Sequence, residues 1–150
     1  MRKMLAVLIL ALWGVPGVSL SKDDGKSLRI YWIDVEGGAA TLVVTPEGGT
    51  LLMDCGWPGP RDAERIAKTL AAAGAKKIDH YLTSHYHTDH WGSIAELAAM
   101  VPIEKYYYHP FPDASAKDVD PKLKATLLGL SEGKSVILAP GMDVPLKGAR

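Results

Sequence analysis

Ser84-His85-Tyr86-His87-Thr88-Asp89-His90-Trp91-Gly92 places three histidines and an aspartate within six residues, in the order H-x-H-x-D-H. Ahead of it, residues 78–83 form a short apolar-rich run that reads as a buried strand. Behind it, Ile94, Leu97, Ala98 and Val101 recur at i, i+3, i+4 and i+7, the apolar face of a helix. Ser93 followed by Glu96 predicts a capping box at the start of that helix. The histidine-rich stretch therefore falls on a strand-to-helix loop, where rigid elements hold functional loops in place.

Alternate side chains of an extended segment share a face, so His85, His87 and Asp89 are expected to converge on one point. His90 breaks the alternation and is expected to reach a second point as the chain turns into the helix. Imidazole nitrogens with a carboxylate oxygen suit zinc and related divalent transition metals. A metal so held lowers the pKa of its water to about 7.

The loop resembles the signature of the metallo-β-lactamase superfamily, a group of metal-dependent hydrolases, and the resemblance runs from about Leu28 to the end of the chain. It implies one or two zinc ions, with His85 and His87 helping to bind one and Asp89 and His90 the other. Asp89 is then also the catalytic candidate, holding and orienting the attacking water. Asp54-Cys55-Gly56 is similar to the family's aspartate-x-glycine after the third strand, whose aspartate supports the metal loop from behind. Asp54 is accordingly expected to orient rather than coordinate; on sequence alone, an aspartate capping a turn reads equally well. Trp57, Trp91 and His109 are candidates for a substrate cleft, with core packing as the other reading of the tryptophans.

The rest of the chain fits one domain with a sizeable core, at 150 residues and 47% hydrophobic content. Seventeen basic and seventeen acidic residues leave no formal net charge, so bulk electrostatics give no nucleic-acid or anionic-membrane signal. Arg2 and Lys3 precede an apolar run from Leu5 to Val15, followed by Pro16, Gly17, Val18 and Ser19. This pattern predicts a signal peptide over 1–21, with export to the periplasm or medium. The run is shorter than the roughly 20 residues of a membrane span. A polar tether over 22–27 follows. The single cysteine, Cys55, excludes an intramolecular disulfide and reads as a small buried hydrophobe.

Strands are predicted over 28–35, 39–45 and 50–53, the last two joined by the turn signal Pro46-Glu47-Gly48-Gly49. A helix over 62–74 buries Ala63, Ile66, Ala67 and Leu70. After the metal loop and its helix come a tyrosine-rich strand over 103–108 and a helix opened by Asp120-Pro121, with Leu123, Leu127 and Leu130 inward. A strand over 136–139 and a return strand over 144–146 are expected to close the chain. The order predicts a mixed α/β sheet with helices on its outer face. It resembles the N-terminal half of the superfamily's four-layer αβ/βα sandwich, with the domain over 28–150 incomplete at its C-terminus.

The remaining family ligands, a further histidine, a bridging aspartate and a last histidine, have no counterpart here. His109, nineteen residues after His90, comes too early to be one of them, and His80 reads as a solvated residue. The chain is thus expected to be a truncated form, inactive on its own. Asp34-Val35-Glu36-Gly37-Gly38-Ala39-Ala40 also resembles the D-V-G-Q-G-D-A opening of a metallo-β-lactamase-like domain in competence proteins, departing at Glu36, Gly37 and Ala39. Together with the predicted export segment, the resemblance implies an exported metallo-hydrolase of small molecules, cleaving an ester, lactone, amide or phosphodiester. The alternatives are a non-catalytic metal-binding module or a phosphodiesterase or nuclease-like domain related to DNA uptake.

Overall fold

A computed structural model of the chain describes residues 27–112 and 119–149; the export segment 1–21 and all but the last residue of the tether lie outside the described residues. The elements are β1 (Arg29–Trp32), β2 (Thr41–Val44), β3 (Thr50–Met53), α1 (Pro60–Ala72), β4 (Ile78–Leu82), α2 (Thr88–Trp91), α3 (Ile94–Met100), β5 (Ile103–Tyr108), α4 (Pro121–Leu130) and β6 (Ser135–Ile137). The six strands form one sheet in sequence order, antiparallel from β1 to β3 and parallel from β3 to β6.

Each parallel step passes through a helix and moves in the same direction across the sheet. Right-handed crossovers therefore put α1, α3 and α4 on one face. The register makes the division visible. Tyr31, Leu42, Leu52, Tyr81 and Tyr106 are cross-strand neighbours in one row, and from Leu42 onward all are buried beneath the helices. The next row, Trp32, Thr41, Met53, Leu82 and Tyr107, points the other way, as the pleat requires. On that face Trp32 stands 79% exposed, with Ile30 and Met53 also in water.

Toward β5 that face is covered. There Tyr107 is buried, and so is His80, which lies inside β4 rather than before it. The two rings meet at 5.5 Å and Nδ1 of His80 has no hydrogen-bond partner. Beyond β6 the chain travels from the C-terminal end of the parallel strands to the β2–β3 turn at the other end, where the Lys147 carbonyl accepts from Thr45 Oγ1 at 2.6 Å. The return strand expected over 144–146 does not form. Pro145 interrupts its donors, and Leu146 N–H turns back to the Val144 carbonyl.

Local chemistry explains most boundaries. Helix α1 begins two residues earlier than expected because Pro60 supplies a pre-set φ at its first turn, and it buries Ala63, Ile66 and Leu70 as read. Asp120 caps α4 by accepting from Lys122 and Leu123 N–H. The capping box of α3 does not form: Ser93 Oγ donates to the Cys55 carbonyl, and a buried oxygen of Glu96 is left without a partner. Among the described residues, no helix is long and apolar enough to cross a membrane.

Candidate metal centre

The motif leaves β4 at the C-terminal end of the parallel strands and splits into two conformations. Through His87 the backbone is extended, with φ −70° and ψ 140° at His87. Alternation holds over that stretch: His85 and His87 are exposed, while Tyr86 between them is buried. Tyr86 stacks on Phe111 at 4.5 Å, meets Trp91 at 5.1 Å, and donates through its hydroxyl to the His109 carbonyl. This inward ring anchors the outward histidines.

Alternation then stops. Thr88–Trp91 is one turn of helix, so Asp89 does not continue the row of His85 and His87 as the spacing predicts. Asp89 instead pairs with its neighbour, its Oδ2 lying 3.6 Å from His90 Nε2. Two donors of one tetrahedral zinc, each about 2.0–2.2 Å from the ion, stand roughly 3.3–3.5 Å apart. The pair has the chemistry for one ion and stands slightly wider than that spacing. The His85 ring lies 3.8 Å from His90 and 4.7 Å from His87, centre to centre. Among the described residues no three His, Cys, Asp or Glu side chains close around a single point. The donor types are those that suit a transition metal.

Behind the motif sits Asp54, 2% exposed and at φ 62°. Its carboxylate accepts from Ser84 N–H at 2.8 Å, from Ser84 Oγ at 2.6 Å and from His90 Nδ1 at 2.9 Å. A carboxylate only accepts, so Nδ1 of His90 carries a proton, and in the neutral imidazole Nε2 is then the acceptor. Ser84 has a single hydroxyl proton, and Asp54 takes it. Toward His85 Nδ1, 3.1 Å away, Ser84 Oγ is therefore the acceptor, which leaves Nε2 of His85 free as well. One buried aspartate orients two imidazoles, directly and through Ser84, in the way outer partners orient ligating histidines. Partial desolvation, with His90 and His87 alongside, moves the His85 pKa below its ordinary value, more than Asp54 and Asp89 raise it. A neutral imidazole is the form that binds metal.

Backbone bonds fix the helical half. Ala39 N–H donates to the Asp89 carbonyl at 3.1 Å, Cys55 N–H to His90 at 2.6 Å, and Gly92 N–H to Gly56 at 2.8 Å. Gly38 has no room for a side chain, since a Cβ there would meet the Asp89 carbonyl oxygen at 2.3 Å. Cys55 is fully buried, with its thiol 3.4 Å from the Tyr81 hydroxyl and its pKa pushed by burial up to about 12, so it serves packing and not metal binding.

The three cleft candidates part company. Trp91 is 0% exposed, with Nε1 donating to the Tyr86 carbonyl at 3.0 Å; it is a core residue and walls no cleft. Trp57 is 42% exposed and, with Glu36, Pro58 and Arg61 among others, lines an open concavity of about 450 Å³. None of the four motif residues lines that concavity. His109 is exposed at the end of β5. Sequence reading missed Ser84, whose adjacency to the motif was the available signal, and the charged residues Arg61, Asp62 and Arg65.

Residues 33–146 match the family model of the metallo-β-lactamase superfamily. The chain belongs to that superfamily. Among solved structures, this metallo-β-lactamase-fold chain is similar to MEM-A1, a subclass B3 metallo-β-lactamase isolated from a soil metagenome library. The TM-score is 0.57 with 21% identity, over 83% of this chain and 51% of that one. It is equally similar to SMB-1, a metallo-β-lactamase solved in complex with mercaptoacetic acid, with TM-score 0.57 and 18% identity over 84% of this chain and 52% of that one. These identities speak to fold alone. The lactamase-like protein notP of Aspergillus sp. (strain MF297-2) is 37% identical over 65 residues, which are 43% of this chain and 20% of notP. The chain thus spans about half the length of these solved structures. Its single sheet with helices on one face is one αβ half of the superfamily's four-layer sandwich.

Proposed function

We propose that this chain provides half of the active site of an exported zinc-dependent hydrolase. The observation that carries the reading is the Asp54–His90–Asp89 arrangement. His90 is held by Nδ1, and a carboxylate oxygen stands 3.6 Å from its Nε2, close to the separation one ion spans. Superfamily membership supports a metallo-hydrolase type of function. His85 and His87 would help hold one ion, Asp89 and His90 another, with one or two zinc ions or related transition metals in all. When bound, such an ion polarises a carbonyl or phosphoryl oxygen and brings the pKa of water down to about 7.

The chain's own residues have separate tasks. Asp54 and Ser84 keep the imidazole protons on Nδ1. Asp89 supplies a carboxylate that orients an attacking water by accepting its hydrogen bond. Trp57 offers an exposed apolar ring between β3 and α1, and His109 an exposed imidazole just after β5. The substrate class is a small molecule with an ester, lactone, amide or phosphodiester bond. The basic start and apolar run of 5–15 support export to the periplasm or medium.

Zinc reconstitution followed by elemental analysis tests the reading, and less than about a tenth of an equivalent retained overturns it. Where hydrolysis of a lactone, phosphodiester or β-lactam probe is measurable, Asp89→Asn lowers it ~100-fold or more, the scale of losing a positioned catalytic group. Unchanged turnover in that variant would remove Asp89 from the chemistry.

A further inference from the structure

Two loops flank the motif, and both are tied down by charges that the metal chemistry does not use. The first is the β1–β2 loop. Glu36 occupies the left-handed region at φ 52°, its N–H bonded to Asp34 Oδ1 at 3.1 Å. This conformation is uncommon for a residue with a side chain. The carboxylate of Glu36 takes Arg61 Nη1 at 2.7 Å and Arg65 Nη2 at 3.3 Å. Arg65 also donates to the Asp34 carbonyl at 2.7 Å.

The second is the β3–α1 loop. Asp62, 1% exposed, accepts from Trp57 N–H at 2.9 Å and packs so closely under Gly56 that a Cβ there would lie 2.5 Å from Asp62 Oδ2. The other edge of the Arg61 guanidinium spans this carboxylate, Nε to Oδ1 at 2.7 Å and Nη2 to Oδ2 at 3.2 Å. Arg61 therefore bridges the two loops through Glu36 on one side and Asp62 on the other.

Those loops carry the backbone groups that seat Asp89, His90 and Gly92. Ala39 N–H reaches Asp89, Gly56 N–H closes onto the Ala39 carbonyl at 2.9 Å, and the Gly56 carbonyl takes Gly92 N–H. We infer that Glu36 and Arg61 form a positioning clasp, which sets the Asp89–His90 pair from outside the metal centre by locking the two loops that grip it. The inference rests on the proposed metal reading for its consequence, and on the hydrogen-bond network alone for its structural half.

The two halves are tested separately on the full chain. Amide hydrogen exchange in Glu36→Ala is expected to quicken at Ala39, Gly56 and Gly92 by about three- to tenfold, the range for losing one or two exposed ion pairs. Amides of Leu52 and Tyr81 should hold their wild-type rates. Arg61→Lys, which keeps a charge for Glu36 and loses the fork, should fall between wild type and Glu36→Ala. Titration with zinc alone should show affinity weakened by a similar factor. Equal acceleration across the sheet, or none at the three loop amides, overturns the clasp. If the wild-type chain binds no zinc while the loop amides respond selectively, the clasp stands and the metal reading falls. If zinc affinity is unchanged despite loosened loops, positioning of the metal pair is overturned.

Discussion

The two ends of the H-x-H-x-D-H motif are held very differently. His85 and His87 project into water from an extended segment, steadied by the inward Tyr86 ring and, for His85, by Ser84. Asp89 and His90 lie in a turn of helix whose carbonyls take N–H groups from two neighbouring loops, with Asp54 gripping His90 from below. The difference teaches where a half-site is pre-organised. The Asp89–His90 end has its geometry before any ion arrives, whereas the His85–His87 end has its facing but less of its spacing fixed.

The strongest test of that contrast removes what lies beneath both ends. Trp91→Ala empties the space between Tyr86, Phe111 and the one-turn helix, and should destabilise the fold by about 3–5 kcal/mol in denaturant titration. Trp57→Ala, on the exposed wall, should stay within about 0.5 kcal/mol. Similar losses would return Trp91 to the surface. Next in size, Asp54→Asn keeps a residue tolerant of positive φ but replaces an acceptor-only group. It should lower stability by about 1–3 kcal/mol. It should also weaken zinc binding about 10- to 100-fold. His87→Asn should weaken zinc with little change in stability, and equal destabilisation by the two variants would erase the distinction between the ends.

A smaller effect depends on pH. Burial raises the Asp62 carboxyl, but its bonds from Arg61 and Trp57 N–H outweigh that and hold it below the ordinary 3.8. A carboxyl lowered on folding stabilises the folded state above its unfolded pKa, and the contribution fades as pH falls through 3.8 toward the folded value. The stability gap between wild type and Asp62→Asn should therefore be full at neutral pH and shrink below about pH 4. A gap that widens in acid would mean that Asp62 is not the charged half of its pair with Arg61.

Much of this was legible locally. The stripe Ala63, Ile66 and Leu70, the cap at Asp120 and the strand ahead of the motif follow from periodicity and capping chemistry acting within a few residues. What was not legible depends on distant partners. Ser93 has the pattern of a capping box, yet the Cys55 carbonyl, 38 residues away, claims its hydroxyl. His80 reads as solvated because nothing within a few residues of it shows that it lies inside β4, against the Tyr107 ring. Thr88–Trp91 turns helical too soon for alternation to reach Asp89, and four residues are too few for a period to register. Glu36 and Arg61 stand 25 residues apart, with no pattern linking them.

The Gly37-Gly38 pair carries two unrelated demands that the letters do not distinguish. Gly37, at φ 93° with open space around it, asks only for a handedness that L-residues resist, so a mirror-image alanine would suit it. Gly38 makes no such demand of chirality. Its place is filled by the carbonyl of Asp89, and an ordinary methyl group there would push directly on the backbone of a proposed metal ligand.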